Sequence, residues 1–374
     1  MKIRIFDLAS GFTGYSRNIS GIAMAIADLG VDVKIIQPST DDYISDKLKP
    51  LMIFDDGKEG FQKYIDSDTI IAGRLYSNIH TFRKYNPKAI IGHAVLEGDK
   101  IPEEWVAKGN MVDIIWACST YNKQILENNG ICIYVPVIWH GFDENIYKSK
   151  WGEHNGEEKE EVKPFIFLFV GGYATRGDRK GADLLAWAFN VFNADDNVKL
   201  IFKINTSYNP SFDAVSDLKS LIKSDLHDKV EFITDFLDDY QMAELYKQAD
   251  ISVTPTLGEA FCQSILESMA CGTPCIVTNY SGHLDYCNEE NSWLIPVEKR
   301  ILAHYGPFDV NCGSVWVLPS VAELSYLLVK AFKDKDEVKK MGKKASKYVH
   351  SFLKWSYQAK LTIKLLEEYV RELK

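Results

Sequence analysis

Between Ala249 and Thr278 the chain leaves itself few folds. Ala249-Asp250-Ile251-Ser252-Val253-Thr254-Pro255 has the apolar, β-branched character of a buried strand, and Cys275-Ile276-Val277-Thr278 has it again. Between them lie Gly258-Glu259-Ala260-Phe261, a stretch of helical spacing through Glu267, and the closing turn Gly272-Thr273-Pro274. Strand, glycine-bearing turn, helix and strand make a βαβ unit, and such units build parallel sheets. The N-terminus of the helix attracts anions, because its first amides lack partners and the helix dipole is positive there. Two carboxylates eight residues apart, Glu259 and Glu267, border that position. Acids beside an anion site make sense when the anion also carries hydroxyl groups, as a nucleotide sugar does.

The same alternation runs through the rest of the chain. A strand over residues 3–8 leads into the loop Ser10–Arg17, a helix from Ile19 to Leu29 that stops at Gly30, and a strand at Val33-Lys34-Ile35-Ile36. Further strands are expected at residues 69–72, 89–92, 113–117 and 134–138. The charge run from Glu153 to Lys163 has no apolar face and reads as a solvated linker or hairpin tip. A second series follows, with strands at residues 165–170, 198–203 and 230–233, a helix over Ala182–Phe192, and the unit described above. From Ala345 to Lys374 the spacing predicts one long amphipathic helix. With 374 residues, two domains are expected. These are an N-terminal domain over residues 1–150 and a C-terminal domain over residues 151–351. Doubly wound sheets bind ligands outside the carboxyl ends of their strands, so two in tandem imply a cleft lined from both sides.

A net charge of −9 argues against a nucleic-acid surface. The seven cysteines are odd in number, and Cys271 and Cys275 have no second pair beside them. They read as free thiols of a reducing compartment, not as a metal site. No apolar run reaches the ~18–20 residues that span a bilayer, and Met1–Asp7 reads as a strand in place of a signal peptide. A cytoplasmic protein is expected, with peripheral membrane contact left open.

Candidate chemistry collects at strand ends. Gly11 and Gly14 let backbone approach a phosphate, or serve only a tight turn. Arg176, Arg179 and Lys180 follow the strand that ends in Gly171-Gly172-Tyr173. They can neutralise a diphosphate, or form an ordinary basic loop. His93 and His140 each follow an apolar strand. On a helical wheel Glu267 falls roughly 60° outside the apolar arc, which suits solvent or a cleft rim equally. The lysines from Lys333 to Lys347 read as a solvated helix face.

Together these segments resemble the retaining glycosyltransferases of family 4, whose GT-B fold has two facing Rossmann-like domains. Gly258-Glu259-Ala260-Phe261 through Glu267 to Pro274 is similar to that family's E-x(7)-E signature. Arg179-Lys180-Gly181-Ala182-Asp183 is similar to its basic-glycine stretch, and His140-Gly141-Phe142-Asp143 to its turn before the linker. The resemblance implies that Glu267 binds the ribose hydroxyls of the donor and Glu259 those of its sugar. It implies that Lys180 and the amides of Phe261, Cys262, Gln263 and Ser264 hold the diphosphate. Gly14 would cap that diphosphate, and His93 would touch the sugar near its reacting carbon. Trp355–Tyr369 resembles the family's terminal crossover helix, which implies that the terminal helix of about 352–374 joins the N-terminal domain. Many members carry a Gly-Arg pair where this chain has Gly172-Tyr173, which leaves Arg179 or Arg176 to meet the phosphates.

The expected reaction is transfer of a sugar from a UDP- or GDP-sugar to an acceptor hydroxyl, with retention and with neither metal nor cofactor. A sugar-nucleotide epimerase of the same fold and a non-catalytic nucleotide-sugar-binding protein are the alternatives. The acceptor, whether glycan, lipid or protein, is not legible.

Overall fold

The computed structural model of the chain describes residues 1–372 apart from 12, 41, 76, 152–162 and 305–311. The charge run expected as a linker thus lies almost wholly outside the described residues. The chain divides into two compact units, Met1–Asp143 with Ala303–Ser314 and Phe352–Lys374, and Glu144–Leu302 with Val315–Ser351. Residues 144–150 therefore go with the second unit, and 303, 304 and 312–314 with the first, where a boundary at 150 and an unbroken second domain were expected.

In the first unit six strands form one parallel sheet: β1 Lys2–Phe6, β2 Asp32–Gln37, β3 Met52–Phe54, β4 Thr69–Arg74, β5 Ala89–Ala94 and β6 Ile114–Ala117, in the order β3-β2-β1-β4-β5-β6. Helices α1 Gly14–Asp28, α2 Glu103–Gly109 and α3 Thr120–Asn128 connect them. Every residue of β5 is buried, as a strand covered on both faces must be, which is why it reads as a continuous apolar run.

The second unit repeats the plan. Its strands are β7 Phe165–Gly172, β8 Val198–Asn205, β9 Val230–Ile233, β10 Ile251–Thr254, β11 Cys275–Thr278 and β12 Ser292–Ile295, in the order β12-β11-β10-β7-β8-β9. The helices are α4 Ala182–Phe189, α5 Ala214–Ser220, α6 Asp239–Gln248, α7 Gln263–Ala270, α8 Val321–Lys333 and α9 Lys335–Phe352. An antiparallel hairpin, β13 Val297–Leu302 with β14 Val315–Pro319, precedes α8. The core is built on aromatics, with Phe165, Phe167, Phe169, Phe189 and Phe202 fully buried. Each such side chain contributes roughly 1.5–3 kcal/mol by leaving water. Local chemistry agrees with the packing: α6 opens with a capping box, Asp238 accepting from the Gln241 amide and Gln241 accepting in return, both at 2.9 Å.

The terminal helix is two helices. α9 ends at Phe352, and α10, Trp355–Glu372, belongs to the first unit. The interruption has a cause: Leu353 O accepts from Phe142 N at 3.1 Å, and Trp355 N donates to Phe142 O at 3.2 Å. Gly21 of α1 lies against the Trp355 indole with no room for a Cβ. A second correction concerns Tyr134–Ile138, which makes only isolated bridges to Ile114 and Ala117. Pro136 has no N–H to donate, so a continuous ladder cannot form there. α4 stops at Phe189, earlier than expected, and α1 begins at Gly14, earlier than expected. No helix among the described residues is long and apolar enough to cross a membrane.

In both sheets the order of connection reverses between two neighbouring strands, β1 and β4 in the first, β7 and β10 in the second. Loops leaving those strands diverge, and the gap between them at the carboxyl ends is where doubly wound sheets hold ligands.

Candidate functional site

At the reversal point of the second sheet, the loop after β7 meets the loop after β10. Leu257 N and the Thr256 hydroxyl both donate to the Arg179 carbonyl, at 2.7 and 2.8 Å. Gly181 takes φ +73° with the Pro255 carbonyl so close that a Cβ has no room. Glycine is therefore required where the chain turns into α4. This stitching delivers two cations to one acid. Arg179 Nη1 stands 2.8 Å from Glu259 Oε1, and Lys180 Nζ forms an ion pair with the same oxygen. Arg179 Nη1 also donates to the Gly258 carbonyl at 3.1 Å.

The trio is largely dry, with side-chain exposures of 6% for Glu259, 16% for Arg179 and 18% for Lys180. Burial pushes the Glu259 carboxyl up, but the Arg179 and Lys180 charges outweigh it and hold it below the usual range. Burial likewise opposes the charge on Lys180, and the attraction of Glu259 raises its pKa in spite of that. All three are ionised at neutral pH, with one net positive charge among them.

Backbone strain supports the arrangement. Cys262 has φ 70° and Ser281 φ 79°, values that cost non-glycine residues of order 1–3 kcal/mol. Ser281 Oγ accepts from Glu259 N at 3.0 Å, and Gly282 N donates to Glu259 O at 3.0 Å. The Tyr286 hydroxyl lies 2.7 Å from the carbonyls of both Phe261 and Cys262. It holds the left-handed turn from which α7 departs. Cys262 occupies the N-cap position without supplying a capping oxygen, so the first amides of α7, at Gln263 and Ser264, begin the helix uncapped by their own N-cap. Burial pushes the Cys262 thiol up to about 11, so it stays protonated. One helical turn on, Glu267 accepts from Gln263 Nε2 at 3.3 Å and from the Tyr246 hydroxyl at 3.2 Å, and only 3% of the residue is exposed.

Arg176 is not part of this group. It pairs with Asp217 at 2.7 Å, and Tyr173 OH donates to the same carboxylate at 2.7 Å.

The first unit has its own cluster at its reversal point. Asp7 follows β1 and accepts from Arg74 Nε and from Tyr15 OH, each at 2.6 Å. The Tyr15 hydroxyl also lies 3.4 Å from His93 Nδ1, and Asn18 Nδ2 lies 2.9 Å from His93 Nε2. Both ring nitrogens of His93 therefore have neighbours. Burial, assisted by the Arg74 charge, lowers its pKa to about 4, so the ring is neutral at physiological pH. Gly14 is the first residue of α1, and Thr13 caps that helix by accepting from Ser16 N at 3.1 Å. His140 packs between the rings of His93 and Trp355, at 6.3 and 6.4 Å.

Of the residues singled out from sequence, the second unit brings together Lys180, Arg179, Glu259, Phe261, Cys262, Gln263, Ser264 and Glu267. Gly14 and His93 belong to the cluster in the first unit. Sequence reasoning missed Asp7, Tyr15, Asn18 and Arg74, although Asp7 and Arg74 stand at strand ends and could have been found there. It also missed Tyr246, Ser281 and Tyr286, for which no local pattern gives a signal. Among the described residues no group of acidic, histidine or cysteine side chains is arranged to hold a metal ion.

Residues 164–304, within the second unit apart from their last two positions, match the family described as "Glycosyl transferases group 1". A stretch of 121 residues is 31% identical to the mannosylfructose-phosphate synthase of Agrobacterium fabrum, covering 31% of this chain and 26% of that protein. The chain thus matches only about a quarter of the length of that curated relative. Among solved structures it is similar to a sucrose-phosphate synthase from Thermosynechococcus elongatus, with TM-score 0.73, 16% identity and full coverage of both chains. It is also similar to a glycosyltransferase from Rickettsia africae, with TM-score 0.73, 17% identity and 99% of both chains covered. The Anabaena protein HepE, solved in complex with UDP-glucose, aligns with TM-score 0.71 and 15% identity over 98% of this chain and all of that one. The two repeated six-stranded sheets and these solved structures agree on the GT-B fold, and within it residues 164–304 are the segment that matches the group 1 glycosyl transferases.

Proposed function

We propose that the protein is a retaining glycosyltransferase that moves a sugar from a nucleoside-diphosphate sugar to an acceptor hydroxyl without a metal ion. The observation that carries this reading is the buried Glu259 carboxylate held by Arg179 and Lys180 beside the start of α7. Glu259 compensates two cations that would otherwise be costly to bury. A donor offers both kinds of partner at once. Its phosphate oxygens accept from Lys180, Arg179 and the first amides of α7, while its sugar hydroxyls donate to Glu259. Negative charge grows on the leaving diphosphate, and fixed cations aimed at it lower the barrier, on the order of 3–4 kcal/mol for one well-placed donor. Two cations and a helix terminus supply the charge that a divalent metal supplies elsewhere. Glu267, satisfied by Gln263 and Tyr246, offers acceptors for ribose hydroxyls.

Glu259 is a poor candidate for a nucleophile. Its carboxylate is assigned to the hydroxyls of the donor sugar, which leaves the acceptor to attack on the face the diphosphate leaves, with the departing phosphate taking the proton. His93, neutral and buried in its own cluster, is assigned to contact with the donor sugar, and Gly14 to the diphosphate cap. HepE was solved with UDP-glucose, so UDP-sugars stand first among candidate donors, with GDP-sugars second. Two relatives are named as synthases of phosphorylated sugars, so sugar phosphates join glycans, lipids and proteins in an acceptor panel.

The test is a thermal-shift screen of UDP-, GDP- and ADP-sugars, followed by transfer assays in EDTA with the product anomer read by NMR. Lys180→Ala should weaken nucleoside-diphosphate binding about a hundredfold and leave binding of the bare nucleoside nearly unchanged. Equal losses for both ligands, an absolute metal requirement or an inverted product would each defeat part of the reading. Turnover of donor without acceptor would indicate the epimerase.

A further inference from the structure

Helix α9 carries a feature that donor binding does not use. Its buried positions are Val338, Met341, Gly342, Ala345, Ser346 and Val349, a stripe that seats the helix on its own unit. Between Lys339 and Lys347 every exposed position is lysine: 339, 340, 343, 344 and 347. Spacings of three and four residues make these lysines neighbours on one face, and like charges so placed destabilise a helix by a few tenths of a kcal/mol per pair. Among the described residues acidic relief is sparse. Glu337 reaches Lys340 at 3.1 Å, and Glu290 stands 3.9 Å from Lys344. The chain as a whole is −9, so this concentration of positive charge runs against its composition.

The edges of the face are aromatic. The ammonium groups of Lys339 and Lys343 lie 5.6 and 5.7 Å from the Trp151 ring, and Tyr348, next to Lys347, is 40% exposed. We infer that the lysine face of α9 docks the protein on an anionic lipid surface. The face suits a plane better than a groove, because the apolar stripe is already buried and only ammonium groups point outward. It contains lysine and no arginine, so it offers point charges to phosphates without the bidentate fork that arginine gives nucleic-acid readers. Clusters of four to eight basic residues on a helix attract anionic leaflets, with roughly 1 kcal/mol from each lysine near the surface. Trp and Tyr at the rim are the residues that settle at headgroup level. A net-acidic protein can bind such a surface because screening confines the interaction to charges within about a Debye length of it.

The test uses the full chain and vesicles of phosphatidylcholine alone or with roughly a third phosphatidylglycerol. Co-sedimentation is expected only with the anionic vesicles and should vanish at about 0.5 M salt. Lys339→Gln/Lys343→Gln/Lys347→Gln should lower partitioning about a hundredfold, at ~1 kcal/mol per charge. The matching triple arginine variant should retain binding. Circular dichroism and melting temperature of the glutamine variant should stay close to wild type, since the relief of repulsion among exposed charges offsets the loss of the two contacts with the Trp151 ring. Equal binding to both vesicles, or unchanged binding of the glutamine variant, overturns the assignment. So does tighter binding of duplex DNA than of anionic vesicles at the same salt. Residues 153–161 contain five glutamates close in sequence to Trp151. If only a variant with those five changed to glutamine binds vesicles, the lysine face is compensated within the chain and the inference falls.

Discussion

Glu259→Gln tests the electrostatic core of the site, and its consequences follow from geometry. The substitution keeps the shape of the side chain and removes its charge. Arg179 and Lys180 then remain adjacent in sequence, at 16% and 18% exposure, without the acid both had engaged. At 2.8 Å and an effective dielectric constant near 20, one such pair is worth roughly 6 kcal/mol of attraction, much of it offset by desolvation. Removing one partner of a buried pair leaves the desolvation cost in place, and the measured loss is about 3–5 kcal/mol. Glutamine retains a carbonyl acceptor, so the lower end, about 3 kcal/mol, is expected. In a unit of roughly 200 residues that corresponds to a fall of about 6–12 °C in melting temperature.

A ligand should reverse the effect. Pyrophosphate brings the negative charge that the variant lacks, and in the variant it does not compete with a carboxylate. Its stabilisation, RT ln(1 + [L]/Kd), should therefore be larger for Glu259→Gln than for wild type at equal concentration, by about 1–3 kcal/mol. Differential scanning calorimetry of both proteins across a pyrophosphate series measures both quantities. The double variant Glu259→Gln/Lys180→Met should recover part of the lost stability, because it removes the uncompensated ammonium. The reasoning is refuted if Glu259→Gln melts within a degree or so of wild type, or if pyrophosphate stabilises both proteins equally.

Two further outcomes are expected. Cys262 bears φ 70°, so Cys262→Gly should hold or raise the melting temperature, relief of about 1–2 kcal/mol offsetting glycine's entropy, whereas Cys262→Val should lower it by several degrees. Matching losses in both variants would show that thiol packing, not backbone strain, governs the turn. His93 is held neutral in the fold, with its pKa lowered to about 4 from an ordinary 6.5. A depressed pKa means that the unfolded chain binds the proton first, so this stabilisation is complete above pH 6.5 and is lost as pH falls toward 4, about 3 kcal/mol in all. Urea melts at pH 7.5 and 5 should show a steeper acid loss in wild type than in His93→Phe, and parallel losses would contradict a buried neutral ring.

What could be read in advance follows the range of the forces involved. The strands of both sheets announce themselves because a parallel strand is buried on both faces, and a run such as Ala89-Ile90-Ile91 needs no context to be recognised. Short edge strands such as β3 and the exposed hairpin β13–β14 lack that signature, since most of β13 faces water. Pro136 shows the converse, a propensity-rich segment denied a ladder by one missing N–H. The break at Leu353 was illegible because its cause is Phe142, more than 200 residues earlier in the chain.

The site divides along the same line. Glu259 and Glu267 on one loop-and-helix segment, and Arg179 with Lys180 on another, are visible because neighbouring residues carry the pattern. What holds them is not visible. Ser281 and Tyr286 arrive from a turn some twenty residues beyond Glu259, yet they contact its backbone and the carbonyls after it. The wheel left Glu267 between solvent and a rim, and the structure resolves this through Tyr246 of α6, which meets it in a nearly dry setting. Glu267 meets the neutral Gln263 amide and Tyr246 hydroxyl, where Glu259 is gripped by two cations, and under the proposed function its carboxylate also accepts from ribose hydroxyls. On that ground Glu267→Ala should weaken nucleoside binding while costing the fold less than Glu259→Gln does. The reverse order in a melting and binding comparison would mean that the two acids had been assigned to each other's roles.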